Sequence, residues 1–319
     1  MKTEQKNKII VILGQTATGK SDFAVQIARE MSGLNHSKGM VDRTSQREVL
    51  GEIISADSRQ VYKEMDLGTG KITKKEMRGI PHHLLDVVSP KKVFSVSDFK
   101  KLAEKKIREI VSRGHIPIIC GGTGFYIDTL LGNSLPDVPP NKELRKKLET
   151  KKITELLSLL KKLDPARAET IDAKNPVRLI RAIEIATALG SVPPTIQNTK
   201  YNILKIGLTL PDDILKEKIH TRLLARIKKG MLREIKKLRE SGLSWKRMYD
   251  LGLEYRYGAL YLQGKITKDE MIKKLNTEIW HYAKRQKTWF KRDKDILWID
   301  PREIHEKAKA LKKVKGFLG

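Results

Sequence analysis

The sequence predicts an α/β fold: a parallel β-sheet covered on both faces by helices, with an all-helical domain inserted into it. Three observations predict it. Short apolar segments suited to buried strands alternate with amphipathic helical stretches over residues 1–132. A proline-rich break at 133–141 then gives way to helical patterning as far as Leu189. After Pro193-Pro194 a strand-like run, Ile203–Leu210, returns the chain to the sheet. The expected division is 1–132 as the first part of the α/β core, 133–198 as the helical insertion, and 199–319 as the return to the core with basic C-terminal helices.

Taken in order, Lys8–Leu13 reads as a buried strand ended by Gly14. Helical spacing follows over Gly19–Met31, with Phe23, Ala24, Ile27 and Ala28 on one face. Residues 33–49 are polar and without period, the pattern of a loop or insertion. Glu52–Ala56 is a second strand, stopping at Asp57. Ser97 is placed to cap a helix reaching about Ser112, with Phe99, Leu102, Ala103, Ile107 and Ile110 turned inward. Ile116–Cys120 is a third buried strand, closed by Gly121-Gly122. The insertion is helical over Lys142–Leu189, broken at Asp164-Pro165 and Asn175-Pro176, and from Asp212 onward the chain is helical and basic.

At 319 residues and 39% hydrophobic content the chain can bury a substantial core. Its formal charge of +27 is unevenly spread: residues 1–140 carry 22 Lys and Arg against 16 Asp and Glu, residues 141–319 carry 43 against 22. Such an excess marks a partner that is a polyanion, most often nucleic acid. The single cysteine, Cys120, lies in an apolar run, which excludes a disulfide or zinc framework. His82-His83 has no third ligand at useful spacing, so it reads as structural. No apolar stretch approaches the roughly 18–20 residues of a membrane helix, and the polar start is no signal peptide. A soluble, cytoplasmic protein with no membrane partner is expected.

The strongest motif is Gly14-Gln15-Thr16-Ala17-Thr18-Gly19-Lys20-Ser21, an ungapped G-x-x-x-x-G-K-[ST]. Its glycines permit a tight turn whose amides cradle phosphate oxygens at a helix N-terminus. Lys20 supplies a point charge and Ser21 a ligand for Mg²⁺. The sheet is therefore expected to be P-loop NTPase-like, binding a phosphate-bearing small molecule. Kinases, ATPases and GTPases share the motif, but the third strand here ends in Cys120-Gly121-Gly122-Thr123 without a metal-holding carboxylate. The acidic strand end is Asp57. Because ligands bind outside the carboxyl ends of parallel strands, Asp57, Gly14–Ser21 and Thr123 are expected to converge.

Several ordered blocks extend this motif: Ile53–Tyr62 (IISADSRQVY), Met65–Lys71 (MDLGTGK), Pro81–Asp86 (PHHLLD), Gly121–Tyr126 (GGTGFY), Arg178–Glu184 (RLIRAIE) and Tyr282–Phe290 (YAKRQKTWF). With them the chain resembles the tRNA dimethylallyltransferases, the bacterial tRNA isopentenyltransferase family, from Ile9 to about Asp300. The resemblance implies transfer of a dimethylallyl group from dimethylallyl diphosphate to N6 of the adenosine 3′-adjacent to the anticodon, with Mg²⁺ as cofactor. On that basis the loop from Gly14 to Ser21 holds the donor's diphosphate, Arg222 joins Lys20 on the phosphates, and Asp57 is the general base with Thr123 beside it. Contacts to the tRNA anticodon stem-loop fall on Asp57, Ser58, Arg59, Gln60, Thr123, Arg145, Val177, Arg178 and Arg181. Arg285, interleaved with Trp280, Tyr282 and Trp289, is a further RNA candidate, although such aromatic residues also pack cores. Arg178 and Arg181 equally suit pairing with Glu184. A monomer is expected.

The chain departs from the family pattern at Glu254, where Gly is common, at Val177, where Gln is common, and near Trp280, where Arg is frequent. Residues 34–50 read as an extra segment. Three other readings use the same motif: prenylation of free AMP, a small-molecule kinase, and a non-enzymatic RNA-binding module that senses nucleotide. The basic second half argues against the first, and the polar residues at the strand ends against the last.

Overall fold

Alternate side chains of the first strand enter two different cores. The structure, a computed structural model, describes residues 6–34, 50–132, 136, 138–193 and 199–319. In β1 (Asn7–Gly14), Ile9, Val11 and Leu13 pack on one face and Ile10 and Ile12 on the other, because successive strand side chains point to opposite sides. A strand buried on both faces needs helices on both. The elements that follow are α1 (Lys20–Leu34), β2 (Gly51–Ser55), α2 (Lys74–Met77), β3 (His82–His83), α3 (Val96–Ser112), β4 (Ile116–Gly121) and α4 (Gly124–Leu131). A helical unit contributes α5 (Lys142–Leu148), α6 (Ile153–Leu163), α7 (Pro165–Thr170) and α8 (Pro176–Leu189). Then come β5 (Tyr201–Leu208), α9 (Asp212–Lys229), α10 (Met231–Glu240), α11 (Trp245–Leu251), α12 (Leu253–Leu262), α13 (Lys268–Phe290), β6 (Leu297–Ile299) and α14 (Ile304–Leu318).

The sheet is parallel throughout, in the order β3-β2-β4-β1-β5-β6. Phe99, Ala103, Ile107 and Ile110 of α3 and Tyr126, Ile127 and Leu130 of α4 cover one face. Phe23, Ala24, Ile27, Ala28 and Met31 of α1, with Ala310 and Val314 of α14, cover the other. A third core joins Val61, Tyr62 and Met65 to the inner sides of α9–α13. With β1 flanked by β4 and β5, the crevice outside the strand ends opens beside Gly14 and Gly121, where strand order reverses.

The chain divides into two compact units, Met1–Leu131 with Thr199–Gly319, and Gly132–Asn198. The second has its own core of Leu148, Leu156, Leu160, Ala168, Leu179, Ile180 and Ile183. Its two sequence breaks are helix starts. Asp164 and Asn175 are N-caps, each followed by proline at the first helical position, where proline's missing N–H costs nothing.

Some sequence expectations shift. The helix after the phosphate loop runs to Leu34 and includes Gly33. Ser95, not Ser97, caps α3, through a reciprocal box with Asp98, and Leu102 is 36% exposed. The returning strand is Tyr201–Leu208. The edge strands β3 and β6, two and three residues long, leave no periodicity to read. Residues 35–49 and part of the proline-rich segment, 133–135 and 137, lie outside the described residues. His83 hydrogen-bonds buried Glu52 at 2.6 Å, and Arg113 and His115 converge on the same carboxylate. Among the described residues no helix is long and apolar enough to cross a membrane.

Candidate active site

The loop after β1 is shaped by three residues at positive φ: Gly14 (136°), Ala17 (64°) and Gly19 (88°). A left-handed alanine costs about 1–2 kcal/mol, and Ala17 is held there by burial of its methyl in the third core. The turn delivers Lys20 and Ser21 to the first turn of α1, whose leading amides have no intrahelical acceptor. Thr16, Ala17, Gly19, Lys20 and Ser21 line a cavity of about 610 Å³, together with Asp57, Gln60, Thr69, Gly70, Cys120, Arg222 and Tyr282. Three residues of the motif do not line it. Gly14 ends the strand, Gln15 buries its side chain and donates to Ala283 O at 3.3 Å, and Thr18 faces a neighbouring groove. The Thr16 amide is also engaged: it donates to Gln286 Oε1 at 2.7 Å.

Lys20, Lys218 and Arg222 meet Asp22, Asp57, Glu76 and Glu217 on the cavity wall. The Lys20 ammonium donates to Gln15 O. Burial, with Arg222 adding to it, pulls its pKa down to about 8, against the attraction of Asp57. Burial pushes the Cys120 thiol up to about 12, so it is a neutral wall rather than a nucleophile. Arg222, from α9, is pulled below the usual guanidinium range by the protein crowding it and by Arg226. Arg222 is near enough to disfavour the charge on Lys20, a repulsion that a bound oligophosphate relieves.

Asp57 starts the turn after β2. Its Oδ1 accepts from the amides of Arg59 (2.8 Å) and Gln60 (3.2 Å), while its Oδ2 receives no hydrogen bond from a described residue. Capping and a chemical role therefore fall to different oxygens. Thr123 does not line the cavity. Its Oγ1 accepts from Ser58 N at 3.0 Å, while its carbonyl opens α4. A second cavity of about 250 Å³ adjoins the first and shares Thr16, Ala17, Asp57, Thr69, Arg222 and Tyr282 with it. Ser58, Arg59, Arg226, Glu254, Tyr255 and Arg285 add to its polar lining, and Ile219, Leu251, Leu253 and Ile279 form its apolar side. Burial raises the Tyr282 phenol above its ordinary value, so it remains a donor.

The other candidates belong to the helical unit. Arg145 forks onto buried Glu184 at 2.7 and 2.8 Å, and Arg181 bonds Glu184 at 3.2 Å and Val138 O at 2.7 Å. Arg178 reaches Asp172 at 3.3 Å, and Val177 is 75% exposed. Pairing with Glu184 thus takes up Arg145 and Arg181 but not Arg178. Missed by the sequence reading were Gln286, Thr69, Arg226 and Glu234; Gln286 sits in the block YAKRQKTWF, whose spacing was its signal.

Among the described residues no cluster of His, Cys, Asp or Glu could hold a metal by protein ligands alone. The oxygen groups at the cavity, Ser21 with Asp22 and Asp57, suit a hard cation such as Mg²⁺ arriving with phosphates.

The comparisons with known proteins agree with this geometry. Residues 60–293 match the family model described as IPP transferase. A tRNA dimethylallyltransferase of Treponema denticola is 42% identical over 294 residues, 90% of this chain and 92% of the relative. Another, from Trichlorobacter lovleyi, is 40% identical over 94% of each chain. The crystal structure of a tRNA isopentenylpyrophosphate transferase from Bacillus halodurans superposes with a TM-score of 0.70 at 34% identity, covering 98% of this chain and 97% of that one. Matches that span the sheet, the phosphate loop and the helices bearing Arg222 and Gln286 leave one assignment: the chain belongs to the IPP transferase family.

Proposed function

We propose that this protein transfers a dimethylallyl group from dimethylallyl diphosphate to N6 of the adenosine 3′-adjacent to a tRNA anticodon, as a cytoplasmic monomer. The observation that carries the reading is that Asp57, Arg222 and Tyr282 line both cavities at once. A diphosphate in the larger and a purine base in the smaller meet at that shared wall. The amine nitrogen attacks the allylic C1, the C1–O bond breaks, and the electron pair leaves with diphosphate. Lys20 and Arg222 stabilise the charge of the departing group. The nitrogen grows acidic as its bond to carbon forms, and its proton passes to Asp57 Oδ2. Ser21 would hold a Mg²⁺ ion arriving with the donor, and that ion would supply further charge neutralisation. Tyr282, as a neutral phenol, borders both cavities.

The acceptor base must leave its stack, at a cost of a few kcal/mol, and Arg59 and Arg285 line the cavity that takes it. In the helical unit Arg178 and Val177 are open to contact RNA, and Arg145 and Arg181 present the remainder of their charge from the Glu184 pair. The test is mass spectrometry of unmodified tRNA after incubation with protein, dimethylallyl diphosphate and Mg²⁺. A gain of one dimethylallyl group on that adenosine is the expected result. No gain with competent tRNAs, and modification of AMP instead, would overturn the tRNA assignment.

A further inference from the structure

One carboxylate outside both cavities gathers an unusual set of donors. Glu234, on α10, accepts from three successive backbone amides, Asp66 (2.9 Å), Leu67 (2.7 Å) and Gly68 (3.0 Å), and from the Tyr255 hydroxyl (2.8 Å). Convergent amides of this kind form an anion nest, here filled by the protein's own side chain. The same turn is gripped on its carbonyl side by Arg226, which donates to Gly68 O at 2.9 Å and is itself paired with Glu254 at 2.7 Å. Within the turn, Thr69 Oγ1 donates to Met65 O and the Lys71 amide to Asp66 O. The turn is thus fixed from the helices that follow β5, and at its far end by Lys71, which donates to Tyr62 O and Asp86 Oδ1.

The far end of that turn is a wall of the phosphate-loop cavity. Thr69 and Gly70 line it beside Arg222. Gly70 has φ +60°, and a Cβ there would lie 3.3 Å from the Arg222 guanidinium, so the turn backbone and the cation occupy adjacent space with little slack. We propose that Glu234 is a positioning residue for the anion site: by clamping the amides of residues 66–68 it sets the 65–71 turn against Arg222 and keeps that guanidinium aimed into the cavity. Glu254, the departure from the family pattern, belongs to the same clamp through Arg226. This inference rests on the reading of the larger cavity as a diphosphate site.

The test substitutes Glu234→Gln, which keeps shape but turns an amide nitrogen toward amide donors, and Tyr255→Phe, which removes a single donor and leaves the fold's packing in place. Glu240→Gln, an exposed carboxylate on the same helix, is the control. Displacement of a charged group by about 1 Å changes its effect by up to about 100-fold, so Glu234→Gln raises KM for dimethylallyl diphosphate and the inhibition constant of inorganic diphosphate by about 10- to 100-fold. KM for tRNA rises less, although Thr69 and Arg222 also border the smaller cavity, and Tyr255→Phe shifts the donor constants less than Glu234→Gln does. In an Arg222→Ala background, adding Glu234→Gln has no further effect on diphosphate inhibition, because the group it positions is gone. Equal loss in kcat, tRNA KM and donor KM, or full additivity with Arg222→Ala, would overturn the proposal. If inorganic diphosphate fails to bind the unmodified protein at all, it is the reading of the cavity that fails instead.

Discussion

Replacing Lys20 by methionine is expected to stabilise the ligand-free protein while destroying its affinity for diphosphate. The shift in Lys20 from 10.5 to about 8 corresponds to roughly 3 kcal/mol of penalty on its protonated form in the fold, at 1.36 kcal/mol per unit. At pH 7 both folded and unfolded chains carry the proton, so the fold bears that penalty in full. Between about 8 and 10.5 the unfolded chain binds more protons than the folded one, and stability rises with pH. Methionine fills the same space without charge. Gln15 O loses one donor but keeps Thr18 Oγ1 at 2.8 Å, so no carbonyl is orphaned and the lost bond costs about 1 kcal/mol. The net expectation at pH 7 is a gain of about 2 kcal/mol. Urea denaturation of both proteins in phosphate-free buffer at pH 7 and near pH 9.5 measures it; the gap should close by about 2 kcal/mol at the higher pH, as the wild type sheds its proton. A variant less stable than wild type at pH 7, or a gap indifferent to pH, would refute the claim that burial of the charge controls this position.

Asp57→Asn keeps the oxygen that caps its turn but offers no proton acceptor, so kcat in the tRNA assay should fall about 10²- to 10⁴-fold with diphosphate inhibition nearly unchanged; equal loss of both would make Asp57 a structural cap only. Burial works against the Glu52 carboxylate, yet hydrogen bonds from His83, His115 and Arg113 outweigh it and hold its pKa at about 2. Its folded value being depressed, the stability it contributes is present above 4.5 and lost as pH falls toward about 2; thermal melts of Glu52→Gln should lack that part of the acid limb. In the helical unit Glu184 is 2% exposed and faces two arginines, so Glu184→Ala should cost about 3–5 kcal/mol, seen as loss of hydrogen-exchange protection confined to residues of α5 and α8.

The parts of the fold that could be read from the sequence are those decided within a few residues. Ile9–Leu13 and Ile116–Cys120 announce buried strands by continuous apolarity, and Asp164-Pro165 and Asn175-Pro176 announce helix starts because cap and proline act locally. The 3.6-residue period of α3 was legible, but its start was misplaced by two residues: Ser95 and Ser97 are both chemically able to cap, and Asp98 decides between them. What was not legible depends on distance along the chain. Gln286 meets Thr16 across 270 residues and Gly122 across 164. Glu234 meets the 66–68 amides across 166–168. No local propensity encodes such contacts. Charge count alone also hides internal pairing: Arg145 and Arg181 count toward a polyanion footprint, and both also pair with buried Glu184.

The aromatic and basic block at the end of α13 resolves into one helix face. Tyr282, Gln286 and Trp289 recur at intervals of four and three, which places them in a row, and the row lies along the ends of β1 and β4. Tyr282 borders both cavities, Gln286 joins Thr16 N to Gly122 O, and Trp289 donates to Asp128 on α4. The close approach of this row accounts for glycines that a phosphate turn alone would not require. A Cβ on Gly122 would lie 2.2 Å from Gln286 Nε2, and one on Gly124 2.2 Å from Trp289 Cδ1. GGTGFY and YAKRQKTWF are therefore two sides of one contact: the first is small so that the second can reach the phosphate loop. The same helix that places Gln286 on the larger cavity places Arg285 on the smaller, so any substitution that shifts α13 should alter donor and acceptor constants together, in contrast to Glu234, whose effect through Arg222 should fall chiefly on the donor constants.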